Sequence, residues 1–165
     1  MDLRQAGLGV ILLLVFWAFQ LGYFSSLGTA SWFLAAVVFA GIMWAIGKGA
    51  MPKSSESQKE LWMFVSISAL VLAALFAFVP PSLLGVTNPP SVDQIAAIFL
   101  TILLTLFGAA MFVTGWEMKW NVTMVVGLFW MVVATHLYTL VPAAWIHFGV
   151  VTAIPFIIYG LIKKD

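Results

Sequence analysis

Four long runs without a charged residue set the pattern of this chain: Gln5 to Gly47, Leu61 to Val92, Gln94 to Trp116 and Trp120 to Ile162. A hydrocarbon core of about 30 Å takes roughly 20 apolar residues per helix, so each run holds one or two spans. Turn formers inside the runs divide them. Ser25-Ser26-Leu27-Gly28-Thr29 closes a first helix over about 6–24, and a second follows over 30–47. The polar segment from Lys48 to Glu60 separates it from a third over 61–79, which Pro80-Pro81 stops because a proline pair cannot continue a helix. A fourth is expected over 93–114, ended by the turn from Gly115 to Asn121. A fifth follows over 122–140, and a sixth over 142–162 with Pro142 suited to its first turn. The expected fold is all-α: a polytopic membrane protein of six transmembrane helices, filling 1–165 as a single domain.

Charge turns this pattern into an orientation. The chain has seven basic residues, and Arg4, then Lys48, Lys53 and Lys59, then Lys119, then Lys163 and Lys164 occupy alternate gaps between the expected spans. Basic residues gather on the cytoplasmic side, so both termini are expected in the cytoplasm of a multi-pass cell-membrane protein. The first apolar run is long enough to span and has no clear cleavage site, so it reads as a helix and not as a removable signal. Charged residues make up 8% of the chain, far below the roughly 25% of soluble domains. The basic residues come singly or in pairs, which leaves no patch for nucleic acid. Cysteine is absent, which removes disulfide, thiolate and iron–sulfur chemistry.

Aromatic and small residues refine the picture. Tyr23, Trp32, Tyr138 and Trp145 fall at the expected outer boundary, and Trp44, Trp62, Trp116, Trp120 and Tyr159 near the inner one. Amphipathic rings sit well at headgroup depth, so these read as interfacial anchors; Trp17 and Trp130 lie well inside their spans. Ala36, Ala40, Gly41 and Ala45 on the second helix, and Ala69, Ala73 and Ala77 on the third, form small-residue stripes where helices can approach closely. Three helices per half would place two halves in inverted orientation, a geometric option without residue-level self-similarity to support it.

Little chemistry lies between the charges. No Asp, Glu, Lys or Arg sits inside a span except Asp93 at the outer end of the fourth, which speaks against a pump built on a buried carboxylate. Asp93, with Ser91, suits a helix start, where it caps free N–H groups and favours the dipole. His136 and His147 flank Pro142 at similar depth. Neutral imidazole binds zinc, copper or haem iron, but two without a further ligand make an incomplete site, and a hydrogen bond to a carbonyl is the plainer role. Hence neither a metal nor a cofactor is expected. Thr101 and Thr105 share one face of the fourth helix, Thr135 and Thr139 line the fifth beside His136, and Ser66 and Ser68 enter the third; such hydroxyls often bond their own helix. The Gln20 amide needs partners from another helix or water. Pro155 frees a carbonyl in the sixth helix, which neighbours must satisfy. Asn121-Val122-Thr123 has the form of a glycosylation sequon on the cytoplasmic side. With no phosphate loop and no nucleophile–base set, the chain is not expected to be an enzyme.

Three short stretches resemble the acetate uptake transporter family (YaaH type): Gly22-Tyr23-Phe24, Leu84-Gly85-Val86-Thr87-Asn88-Pro89-Pro90 and Ile146-His147-Phe148-Gly149. The family's amino-terminal NPAPLGL signature is missing, and Gln5-Ala6-Gly7-Leu8-Gly9 stands in its place. The resemblance implies six helices with both ends inside and passage of an acetate-like solute. The expected function is a channel or facilitator for a small neutral or weakly acidic solute, with Gln20, Thr101, Thr105, Thr135, His136 and His147 along its path. The alternative is a non-catalytic accessory subunit of a respiratory or oxygenase type of membrane complex. Expected partners are the lipid bilayer and either further copies of the chain or partner membrane subunits.

Overall fold

A computed structural model describes residues 3–28, 30–50, 56–79, 91–141 and 143–162. Among these are six α-helices: α1 Leu3–Gln20, α2 Ala30–Ala50, α3 Glu56–Phe78, α4 Val92–Glu117, α5 Asn121–Leu137 and α6 Ala144–Ile162. Short 3-10 turns at Ser25–Leu27 and Tyr138–Leu140 extend the ends of α1 and α5, and the described residues include no strand. The stop at Pro80-Pro81, the 84–90 segment, Pro142 and the lysines at 53, 163 and 164 lie outside the described residues.

Three helices, Glu56–Phe78, Asp93–Glu117 and Ala144–Ile162, are long and apolar enough to cross a membrane, while Gln5–Gln20, Ala30–Ala45 and Asn121–Leu137 are apolar but shorter. Large side chains such as Leu14, Trp17, Phe64, Val125 and Leu128 are exposed around the bundle, as they are in a protein solvated by lipid. α3 begins at Glu56, inside the segment expected to be a loop. Helix-forming Glu, Gln and Lys carry it past the apolar stretch, Glu56 suits the positive end of the dipole, and Lys59 lies 3.5 Å from its carboxylate.

α4 is the axis of the bundle. It packs most extensively on α5 and also meets α3 and α6, and 56% of its apolar window is buried against 22% for α3 and 33% for α6. Its start is a capping box: the Ser91 hydroxyl accepts from the Gln94 N–H at 3.3 Å, and the Gln94 side chain accepts from the Ser91 N–H at 2.8 Å. Gln94, and not Asp93, therefore partners Ser91; Asp93 acts only through its place in the first turn. Its end is a Schellman turn, in which Trp120 N–H donates to Gly115 C=O at 2.7 Å and Lys119 N–H to Trp116 C=O at 3.2 Å. That motif needs a left-handed residue, and Lys119 fills it at φ 56°, the one non-glycine at positive φ among the described residues. A side chain there costs about 1–2 kcal/mol relative to glycine.

The other extensive contact joins α1 to α6, the first helix to the last. Lipid is as apolar as a leucine side chain, so close packing must hold such pairs together. Both tight pairs use glycines. A Cβ on Gly127 would lie 2.5 Å from Gly108 C=O and from the Phe112 nitrogen, and one on Gly115 would lie 2.5 Å from the Met124 nitrogen. On the other pair, a Cβ on Gly9 would meet Ile157 at 2.8 Å, and one on Gly149 would meet Phe16 at 2.7 Å. The alanine stripe of α3 faces inward, with Ala69, Ala73 and Ala77 buried. The α2 stripe is only half engaged: Ala36 is buried, but Gly41 is exposed and has nothing near it. Inverted symmetry would map α1·α2 onto α4·α5, yet the first contact is slight and the second extensive, so the two halves are not packed alike.

Candidate functional site

The interior is an aromatic column. Beginning at the Gln20 end, Phe24 lies 4.5 Å from Phe19, Phe19 6.0 Å from Phe16, Phe16 4.7 Å from Phe148, Phe148 5.1 Å from Phe39, Phe39 4.8 Å from Phe107 and Phe107 6.1 Å from Trp62, measured between ring centroids. Five helices or their ends contribute to it, and Phe16, Phe39, Phe107 and Phe148 are fully buried. Edge-on and tilted contacts at these distances are favourable for ring quadrupoles and fill space densely. Trp62 finishes the column at the Lys119 end, where its indole N–H donates to the buried Thr114 hydroxyl at 3.0 Å and ties α3 to α4.

Beside the column, Trp130 resolves the problem that Pro155 creates. Proline has no N–H, so the Val151 carbonyl one turn earlier loses its helical donor. The fully buried Trp130 indole donates to that carbonyl from α5 at 3.1 Å. Thr152 bonds its own helix, donating to Phe148 C=O at 2.7 Å and to Gly149 C=O at 3.2 Å.

The six expected solute contacts do not converge on this axis. Thr105, Thr135 and His136 are exposed on the outside of the bundle, and Gln20, Thr101 and His147 are half-buried. Thr105 donates to Thr101 C=O at 2.8 Å and Thr135 to Val132 C=O at 2.7 Å, so both hydroxyl protons serve their own helices. Nδ1 of His147 lies 2.8 Å from Ala143 C=O; a carbonyl only accepts, so Nδ1 is the donor. His136 behaves alike, with Nδ1 2.9 Å from the Thr135 hydroxyl and 3.3 Å from Val132 C=O. Gln20 reaches another helix: its Oε1 accepts from Ile146 N–H at 3.4 Å, supplying an acceptor to the start of α6, where Ala143 has no capping side chain. The Thr101 hydroxyl is sealed from solvent without a hydrogen-bond partner among the described residues. No group of three or more metal-ligating side chains comes together among the described residues.

Several of the aromatic residues expected at the interface pack on interior rings. Trp32 is buried against Phe76 and Phe99, and Trp145 stacks on Phe19 at 5.0 Å. Tyr23, Trp44 and Trp116 are exposed, as anchors are. Two buried amides, Gln5 and Gln58, were not among the expected interior groups; each stands beside a charged residue in the sequence.

The described residues also form a shallow concavity. It is an apolar groove of about 390 Å³ between α5 and α6 near the Lys119 end, lined by Val122, Val126, Ile154, Pro155, Ile158 and Tyr159.

Set against protein-family models, curated proteins and solved structures, the chain matches none.

Proposed function

We propose that this chain is a non-enzymatic integral membrane protein of six spans, with both termini cytoplasmic, that acts through its lateral faces as a packing subunit of a larger membrane assembly. The observation that carries this reading is the aromatic column. Phe16, Phe39, Phe107 and Phe148 fill the axis, while Thr105, Thr135 and His136 lie outside it. A path for a polar solute needs polar groups facing a hollow, and this axis offers rings in contact.

Passage of a small neutral or weakly acidic solute is the second reading, and Thr101 favours it. A sealed hydroxyl without a partner costs about 1–3 kcal/mol, which a bound polar solute would recover. Purification in a gentle detergent separates the two readings. The subunit reading expects larger membrane proteins in stable stoichiometry with this chain. A homo-oligomer that conducts acetate in vesicles, with flux lowered by Thr101→Val, would establish the facilitator instead.

A further inference from the structure

The six helices are not packed on one another equally. Two pairs meet extensively, α1 with α6 and α4 with α5, while α6 meets α4 and α5 only slightly. Inside each pair a glycine seats backbone against backbone. Gly9 lies against the α6 backbone at Ala153 and Ile157, and Gly127 lies against the α4 backbone at Gly108 and Phe112. Such a contact cannot slide without backbone atoms colliding, so each pair holds its geometry.

Between the pairs the contacts run through side chains. The Trp130 indole of α5 donates to Val151 C=O of α6 at 3.1 Å, and its ring meets Phe156 edge-on at 5.8 Å. The buried Phe39 ring of α2 touches both pairs: Phe16 at 6.1 Å and Phe148 at 5.1 Å on one, Phe107 at 4.8 Å and Trp130 at 6.4 Å on the other. Ring contacts stay favourable over a wide range of tilt and separation, so they tolerate a small relative movement.

The pairs are joined at one end and part at the other. A short connection after the turn at Tyr138–Leu140 ties α5 to α6 at the Gln20 end, with Ala143 N–H donating to Leu140 C=O at 2.8 Å. The groove opens at the Lys119 end, between Val122 and Val126 near the start of α5 and Ile158 and Ile162 near the end of α6. Trp130 stands between joint and groove. Its acceptor is free because Pro155 has no N–H; an uninterrupted helix would use the Val151 carbonyl itself.

We propose that α1·α6 and α4·α5 are two rigid bodies that hinge at the 138–143 connection, latched by the Trp130–Val151 bond, and that the groove is the gap that widens and narrows. Its walls are apolar apart from the Tyr159 hydroxyl, so narrowing brings apolar surfaces together and strands no charge. The movement is of the hinge type, in which packed units keep their interiors and shift at side-chain contacts. It gives the lateral surface two shapes at the Lys119 end, whatever that surface meets.

The full chain lacks cysteine, so pairs of spin labels can be placed at will and their separation read by double electron–electron resonance in detergent micelles. Val10→Cys with Leu161→Cys reports within α1·α6, Val113→Cys with Val125→Cys within α4·α5, and Val125→Cys with Leu161→Cys across the groove; all four positions are exposed. Each label of the across-groove pair also serves in a within-pair measurement, which accounts for the motion of the label itself. Trp130→Phe is expected to shift or broaden the across-groove distribution and to leave both within-pair distributions unmoved. Because that change alone lowers stability, the deciding reading is taken with Pro155→Ala added, which returns a helical donor to Val151 without rejoining the pairs. The across-groove distribution is expected to stay altered in the double variant. Its return to the native distribution there would show that the tryptophan only satisfies the carbonyl, and would overturn the latch. Broadening of all three distributions in the double variant would overturn the proposal too, since it marks a loosened bundle and not two rigid bodies.

Discussion

Helix α5 packs against α4 along one side and against α6 along another, and the two contacts differ in kind. Against α4 the backbones nearly touch, because Gly108, Gly115 and Gly127 remove the side chains that would hold them apart. Against α6 the contact is slighter: the Trp130 indole donates to Val151 C=O, its ring meets Phe156 edge-on at 5.8 Å, and an aliphatic groove lies between the two helices. Both pairs are consecutive helices joined by short connections, so chain adjacency does not decide the difference. Between helices in lipid the contact is decided by whether backbones can approach, and glycines at the crossing permit it.

The sharpest way to break this contrast is to put a methyl group into the close pair. Gly127→Ala places carbon 2.5 Å from backbone atoms of α4 that cannot rotate away. The helices must separate, at a cost of about 3 kcal/mol or more, offset by about 1 kcal/mol of helix propensity. Unfolding in mixed micelles should show the loss.

The looser pair has a different weak point. Trp130→Phe keeps the ring but orphans the Val151 carbonyl, at about 1–3 kcal/mol. Restoring a helical donor with Pro155→Ala should remove most of that penalty, so the double-mutant cycle is expected to be strongly non-additive. Additive effects would mean that the tryptophan acts by packing alone.

Smaller effects follow elsewhere. Gln20→Leu removes a long, 3.4 Å contact to the start of α6 and should cost about 0.5–1 kcal/mol, the low end for a capping group. Gly41→Ala should be neutral or slightly stabilising, because nothing lies within reach of the new Cβ. A thermal-shift series over the four variants tests the ranking.

The contrast also marks what the sequence could reveal. Charge-free runs and turn formers located the helices to within a few residues at most ends, and Ser91 was read at a helix start, but with Asp93 beside it where the structure pairs it with Gln94. Gln20 called for a partner from another helix or water, and α6 supplies one. The carbonyl freed by Pro155 was legible, but its donor was not, since only the fold brings Trp130 beside it. Glycines were less readable still. Gly7 and Gly9 are two residues apart in the same apolar run, yet one meets nothing and the other touches α6. Position along a helix fixes depth, while the partner fixes which face is crossed. For the same reason Trp32, Trp62 and Trp145 were read by their place along the chain, and the interior rings they pack on were not legible. Thr101 and Thr105 show the limit for the site: their spacing puts them on one face, and nothing in that spacing says that Thr105 faces outward.

The closed axis is the claim on which the functional reading depends, and the absence of cysteine allows a direct test. Single cysteines are introduced at Ala97, fully buried on α4, and at Thr139, exposed beyond the end of α5, and each is treated in native membranes with a small hydrophilic thiol reagent. A closed column predicts rapid labelling of Thr139→Cys and no labelling of Ala97→Cys. Comparable labelling at both positions would show water along the axis and contradict the account.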